Sequence, residues 1–283
     1  MFTTLISTYD LAVRLADPAL VLLDCTFDLA KTEAGERSWR AGHITGAAYA
    51  SLNRDLSSPP NGSNGRHPLP TVEALAAQLG AWGIDATKQV VAYDQDLGMF
   101  AARLWWLLKW LGHDQVAVLD GGFAKWQREG RPTRGGDEPL RAAATFAPAL
   151  REALRVTVDR VERLITDENW RLVDARAPQR FRGETSPLDA VAGHIPGAQN
   201  RFFQSNLNSD GTWRAPDALR TAWQALLDGV PGDRTVCYCG SGVTACHNLL
   251  ALELAGVRGA KLYPGSWSEW SSDPTRPVAT GEA

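Results

Sequence analysis

One short pattern occurs twice in this chain and fixes most of what it can fold into. Ala41-Gly42-His43-Ile44-Thr45-Gly46-Ala47 returns as Ala192-Gly193-His194-Ile195-Pro196-Gly197-Ala198. Upstream of each copy an apolar run ends in aspartate, Val21-Leu22-Leu23-Asp24 and Leu172-Val173-Asp174. Downstream, Val90-Val91-Ala92-Tyr93-Asp94 matches Thr235-Val236-Cys237-Tyr238-Cys239, and Leu119-Asp120-Gly121-Gly122-Phe123-Ala124-Lys125-Trp126 matches Tyr263-Pro264-Gly265-Ser266-Trp267-Ser268-Glu269-Trp270. Four blocks in one order, offset by 144 to 151 positions, make a duplicated domain, since solenoid repeats run about 20 to 50 residues.

Within each half, short β-rich runs alternate with helical ones. Gly98 to Trp110 and Val243 to Ala255 are long and apolar enough for core helices, each starting just after its strand. Strand, helix, strand, helix implies parallel strands with crossovers, hence an α/β fold with helices on both faces of each sheet. The 283 residues suit two domains of about 100 to 150 residues each. The expected division is a first domain over 1–130, a linker over 131–155 and a second domain over 156–283. The linker is read from the Gly-, Pro- and charge-rich run Gly130 to Pro139, with Phe146 able to return to a domain surface. The irregular run Ser57 to Pro68 is too long for a simple turn.

In open parallel sheets ligands bind at the carboxyl ends of the strands, and Cys239 stands at such an end. Gly240, Ser241 and Gly242 follow it, and a helix begins near Val243. A glycine-rich turn ahead of a helix directs backbone N–H groups and the positive helix end at one point. A thiolate held there is of the low-pKa, nucleophilic kind. In the first half Asp94 occupies the cysteine position and Gln95-Asp96-Leu97-Gly98 the glycine-rich positions. Aspartate cannot act as a sulfur nucleophile, so one half reads as catalytic and the other as structural.

A net charge of −3 argues against a nucleic-acid footprint, and no apolar run approaches the roughly 20 residues of a membrane span. The N-terminus lacks a signal-peptide pattern. Four cysteines, three crowded at Cys237, Cys239 and Cys246, do not form a disulfide framework and point to the reducing cytoplasm. A metal site from Cys237, Cys239, Cys246 and His247 is disfavoured, because Cys-x-Cys on a strand lacks the turn that makes thiolates converge. No metal is therefore expected.

The two Gly-His-Ile-x-Gly-Ala blocks, Asp94 in place of cysteine, and the loop Cys239-Gly240-Ser241-Gly242-Val243-Thr244-Ala245 together resemble the two-domain rhodanese superfamily of sulfurtransferases. The loop is similar to that of the 3-mercaptopyruvate sulfurtransferases; thiosulfate sulfurtransferases typically carry two basic residues where this chain has Gly240 and Ser241. The resemblance implies two tandem rhodanese-like domains, the first non-catalytic. It also implies transfer of a sulfane sulfur from 3-mercaptopyruvate, through a persulfide on Cys239, to a thiol, thioredoxin or cyanide. Loop N–H groups with the Ser241 and Thr244 hydroxyls would stabilise that anion.

On the substrate side, Arg180-Phe181 matches the arginine that clamps the pyruvyl carboxylate in mercaptopyruvate enzymes, and Arg176 and Arg182 cluster beside it. Nine residues on, where the family has a second arginine, this chain has Asp189, which implies a weaker preference for mercaptopyruvate. His67 matches a family histidine placed near the loop serine, a proton relay to Ser241, with Asn53 where its acidic partner is expected. His43 and His194 recur in both halves and read as turn-holding residues. The 11 tryptophans read as packing. A tyrosine phosphatase is excluded by Ala245, where Cys-x5-Arg needs its arginine, and a binding module without catalysis would not keep the cysteine. Thiosulfate:cyanide sulfurtransferase remains the alternative.

Overall fold

The computed structural model describes every residue except Asp96, Leu140 and Ala283, so the Asp96 position of the first-half loop lies outside the described residues. The chain forms two compact units: Met1–Ser58, Leu69–Arg151 and Leu207–Trp213 make one, and Pro59–Pro68, Glu152–Asn206 and Arg214–Ala283 the other. The units thus exchange short segments. A loop from the first half of the chain belongs to the second unit, and a segment from the second half belongs to the first.

In the first unit the strands are β1 (Leu5–Ile6), β2 (Leu20–Asp24), β3 (His43–Ile44), β4 (Ala47–Tyr49), β5 (Gln89–Tyr93), β6 (Val116–Leu119) and β7 (Thr133–Arg134). Five of them form a parallel sheet in the order β1-β6-β5-β2-β4. Its helices are α1 (Thr8–Ala12), α2 (Ala34–Ala41), α3 (Val72–Ala81), α4 (Ala101–Trp110) and α5 (Gly122–Arg128). Every residue of β2 is buried, which is why the run Leu20 to Leu23 is continuously apolar rather than alternating. Thr71 starts α3 by accepting the Ala74 N–H at 3.2 Å. Val91, Tyr93, Ala117, Phe123 and Trp126 meet in the core between sheet and helices.

The second unit contains β8 (Arg171–Asp174), β9 (Gln199–Asn200), β10 (Thr235–Tyr238) and β11 (Lys261–Leu262), all parallel in the order β11-β10-β8-β9. Its helices are α6 (Val158–Leu164), α7 (Pro178–Phe181), α8 (Pro216–Leu227), α9 (Thr244–Leu254) and α10 (Ser266–Trp270). Phe181, Ile195, Tyr238, Trp267 and Trp270 fill its core.

Two local expectations are refined. The helix expected from Gly98 begins at Ala101, because the N–H groups of Gly98, Phe100 and Ala101 turn onto the Asp94 carboxylate at 2.8, 2.8 and 2.9 Å. Within the stretch read as linker, β7 pairs antiparallel with β3, Thr133 opposite Ile44 and Arg134 opposite His43, and Phe146 is buried.

Candidate active site

Cys239 follows β10 directly, 2% exposed. Its N–H donates to Ser266 Oγ at 3.1 Å, while that hydroxyl donates to Tyr263 O at 2.9 Å. Its carbonyl accepts the Trp267 N–H at 3.0 Å, and the Gly240 carbonyl accepts the Ser268 N–H at 2.9 Å. The cysteine is therefore held by its backbone from the start of α10. Ser266 does this with φ +56°, a conformation that costs a non-glycine residue on the order of 1 to 3 kcal/mol.

The glycines of the loop have separate reasons. Gly242 has φ +75°, and a Cβ there would lie 2.3 Å from Pro264 O, so backbone approach excludes any side chain. A Cβ on Gly240 would lie 3.2 Å from Arg180 Nη2 and 3.3 Å from Arg66 Nη2. Two guanidiniums thus converge above the residue next to the cysteine. Val243 leads into α9, which has no side-chain cap at its N-terminus, and Thr244, half-buried, is its first residue.

The Ser241 hydroxyl lies 2.7 Å from His67 Nδ1, and both side chains are buried. This contact exists because Pro59–Pro68 belongs to the second unit. Gly65, at φ +83°, packs so closely that a Cβ would lie 2.8 Å from Gly265 O, and the Arg66 N–H donates to Ser268 Oγ at 3.0 Å. Asn53 is exposed in the first unit.

Of the three clustered arginines, only Arg180 reaches the loop. Arg176 is buried in a pair with Asp174 at 2.6 Å and donates to Gly193 O at 2.7 Å, and Arg182 pairs with Glu184 at 2.6 Å on the surface. Arg180 Nη2 meets Asp189 Oδ2 at 2.6 Å, and Arg66 Nη1 meets Asp189 Oδ1 at 3.0 Å. Asp189 is therefore more than a missing cation: it ties a second arginine, Arg66, to the site. Sequence reasoning missed Arg66, whose one signal was its place beside His67. It also missed Ser266, which stood out only as a serine where the first repeat has Gly122.

Burial pushes the Cys25 and Cys237 thiols upward, aided at Cys25 by Asp94 and Asp24 and at Cys237 by Cys246 and Cys239. Cys246 Sγ donates to Gly242 O at 3.3 Å. All four cysteines are free of disulfides, and no group of three or more potential metal ligands occurs among the described residues. His194 binds Phe181 O through Nδ1 at 2.8 Å and stacks on the Phe181 ring, and His43 binds Trp39 O at 2.7 Å and Glu138 at 3.0 Å. Both histidines hold turns.

The duplicated fold has counterparts among known proteins. Residues 7–129 and 157–273 each match the family described as rhodanese-like domain. A probable 3-mercaptopyruvate sulfurtransferase of Pseudomonas aeruginosa is 49% identical over 280 residues, covering 98% of both chains. The thiosulfate sulfurtransferase of Bos taurus is 34% identical over 285 residues, covering 95% of this chain and 92% of its own. The crystal structure of SseA from Escherichia coli, described with the rhodanese fold of 3-mercaptopyruvate sulfotransferases, superposes with a TM-score of 0.81 at 30% identity, covering 94% of this chain and 99% of that one.

Proposed function

This chain belongs to the rhodanese-like sulfurtransferases, and from that premise we propose that Cys239 carries the sulfur and that 3-mercaptopyruvate is its preferred donor. The observation that carries the reading is the pairing of Arg180 and Arg66 over Gly240 with the Ser241–His67 contact at 2.7 Å. The loop itself holds no cation. Charge reaches it from side chains to one side, which suits a donor whose carboxylate lies away from its sulfur.

The chemistry follows from the residues. The Cys239 thiolate attacks the donor sulfur, forming an S–S bond as the C–S bond breaks. The electron pair goes to the carbon, whose enolate is stabilised by the adjacent ketone. Ser241, backed by His67 at 2.7 Å, would polarise that ketone oxygen and deliver the proton that completes pyruvate. The persulfide anion then sits at the N-terminus of α9 among loop N–H groups, with Ser241, Gly242, Val243 and Thr244 around it. An acceptor thiolate or cyanide attacks the outer sulfur, and Cys239 leaves with its electron pair. Thioredoxin fits as a protein acceptor because it presents such a thiolate. No step calls for a metal or organic cofactor.

Four cysteines without disulfides support a reducing, cytoplasmic setting, and among the described residues no helix is long and apolar enough to cross a membrane. The domain reading that accompanies this function assigns transfer to 156–283, joined through 131–155 to a non-catalytic 1–130 that lends His67 and Arg66. Thiosulfate remains the second donor reading, favoured by the two guanidiniums near the loop. Steady-state rates with both donors, side by side, decide between them. We expect higher kcat/KM with 3-mercaptopyruvate. Arg180→Lys should lower that value about 10- to 150-fold, because an ammonium cannot reproduce the fork of a charge-assisted pair. A faster rate with thiosulfate, or an indifferent Arg180→Lys, assigns the donor to thiosulfate.

A further inference from the structure

We propose that Asp189 is a specificity-determining residue of the donor site: it sets how much positive charge Arg66 and Arg180 present to an incoming anion. The inference rests on the reading that Cys239 takes sulfur from 3-mercaptopyruvate. Asp189 is 2% exposed at its side chain, against 19% for Arg180 and 32% for Arg66. Its carboxylate therefore lies beneath the two guanidiniums, one oxygen to each. Arg66 Nη1 also donates to Leu188 O at 2.6 Å, and Ser186 Oγ donates to Asp189 O at 2.5 Å, so the backbone of the loop carrying the aspartate is held as well as its carboxylate.

Arg66 Nη2 and Arg180 Nη2, the latter also the atom that meets Asp189, both approach Gly240, and among the described residues Arg180 Nε is buried with no hydrogen-bond partner. Two guanidiniums and one carboxylate leave one net positive charge facing the sulfur-carrying loop. A donor bearing one carboxylate matches that charge. A dianion meets the same two arginines with the nearby Asp189 charge uncompensated, and in a partly buried site such a mismatch is weakly screened. Asp189 also holds both guanidiniums in place, because each gives one nitrogen to the shared carboxylate. Discrimination against the doubly charged donor is thereby built from a residue that never touches it.

The test compares Asp189→Asn, which keeps the shape and removes the charge, with the wild type. The ratio of kcat/KM for 3-mercaptopyruvate to that for thiosulfate should fall on the order of tenfold, chiefly because the thiosulfate value rises. Inhibition by inorganic sulfate, a dianion, should tighten in step, and inhibition by pyruvate, a monoanion, should change less. An unchanged ratio, or equal losses with both donors, makes Asp189 a brace and overturns the proposal. A second measurement is independent of how the variant folds: in the wild type, sulfate should inhibit more weakly than pyruvate, and the reverse order overturns the proposal as well. Failure of the underlying donor reading shows separately, as a wild-type preference for thiosulfate, whereas this inference fails in the shift between proteins or in the order of the two inhibitors.

Discussion

Asp94 and Cys239 occupy the same place in their two units. Tyr93 pairs with Asp24 across β5 and β2, and Tyr238 pairs with Asp174 across β10 and β8. Each tyrosine hydroxyl accepts the N–H of the isoleucine in its Gly-His-Ile block, Ile44 at 3.1 Å and Ile195 at 3.2 Å. The carbonyls of Asp94 and Cys239 accept the N–H groups of Phe123 and Trp267, both at 3.0 Å. Against that shared background, the side chains diverge. Asp94 turns its carboxylate onto three N–H groups at the start of α4, whereas no side chain caps α9 beyond Cys239. The first loop gathers its N–H groups on a carboxylate from its own chain. The second has no side chain in that role at the start of α9.

The sharpest way to break the comparison is to exchange the residues. Cys239→Ser is expected to abolish transfer and the gain of about 32 Da that persulfidation adds in an intact-mass spectrum after donor treatment. Asp94→Cys should not create a second loaded site, because Gln95 and Leu97 stand where the Cys239 loop has Gly240 and Gly242. Two added sulfurs at similar rates would falsify the distinction drawn between the loops.

Next in size is the energetic role of the built-in anion. Asp94→Ala strands three buried N–H groups that now make charge-assisted bonds, so a loss of about 5 kcal/mol in unfolding free energy is expected. Chemical denaturation checks it, and a loss under about 1 kcal/mol would show that the carboxylate is not what satisfies the loop.

The smallest effect contrasts the aspartates of β2 and β8. Asp174 is locked to Arg176 at 2.6 Å, while at the matching position Asp24 has Thr26, whose N–H it accepts at 2.8 Å. Burial raises the Asp24 carboxyl above its ordinary value of 3.8. A raised folded-state pKa contributes stability that is present below the unfolded value and lost as pH rises through the folded one. Asp24→Asn should therefore melt higher than the wild type at pH 7, with the gap closing as pH falls toward 3.8. Asp174→Asn, which strands a buried guanidinium, should instead melt lower at pH 7. Melting curves that move the same way for both variants would erase this difference between the units.

Much of this was legible in the sequence because it was written as local pattern. The repeat located the strand ends, and the change from Asp94 to Cys239 singled out the loop after β10 without coordinates. Arg66 was hidden, since a sequence marks the run from Ser57 to Pro68 as a long loop but not which unit it joins. Asp189 read as the absence of an arginine, because pairing across more than a hundred residues carries no local signal. Leu97 and Ser266 adopt left-handed backbone that composition gives no reason to expect, and β7 lies in a Gly- and Pro-rich run whose pairing with β3 is a tertiary event.

The exchange of Pro59–Pro68 into the second unit bears on how such a chain can evolve. After duplication, a copy without a nucleophile would ordinarily be free to decay or be deleted. Here that copy encodes His67 and Arg66, which lie in the other unit against Ser241 and Asp189, so a deletion that removes it also strips contacts from the other unit. The two halves are heritable only as a pair, and no break placed between them yields an offspring gene that encodes the whole second unit.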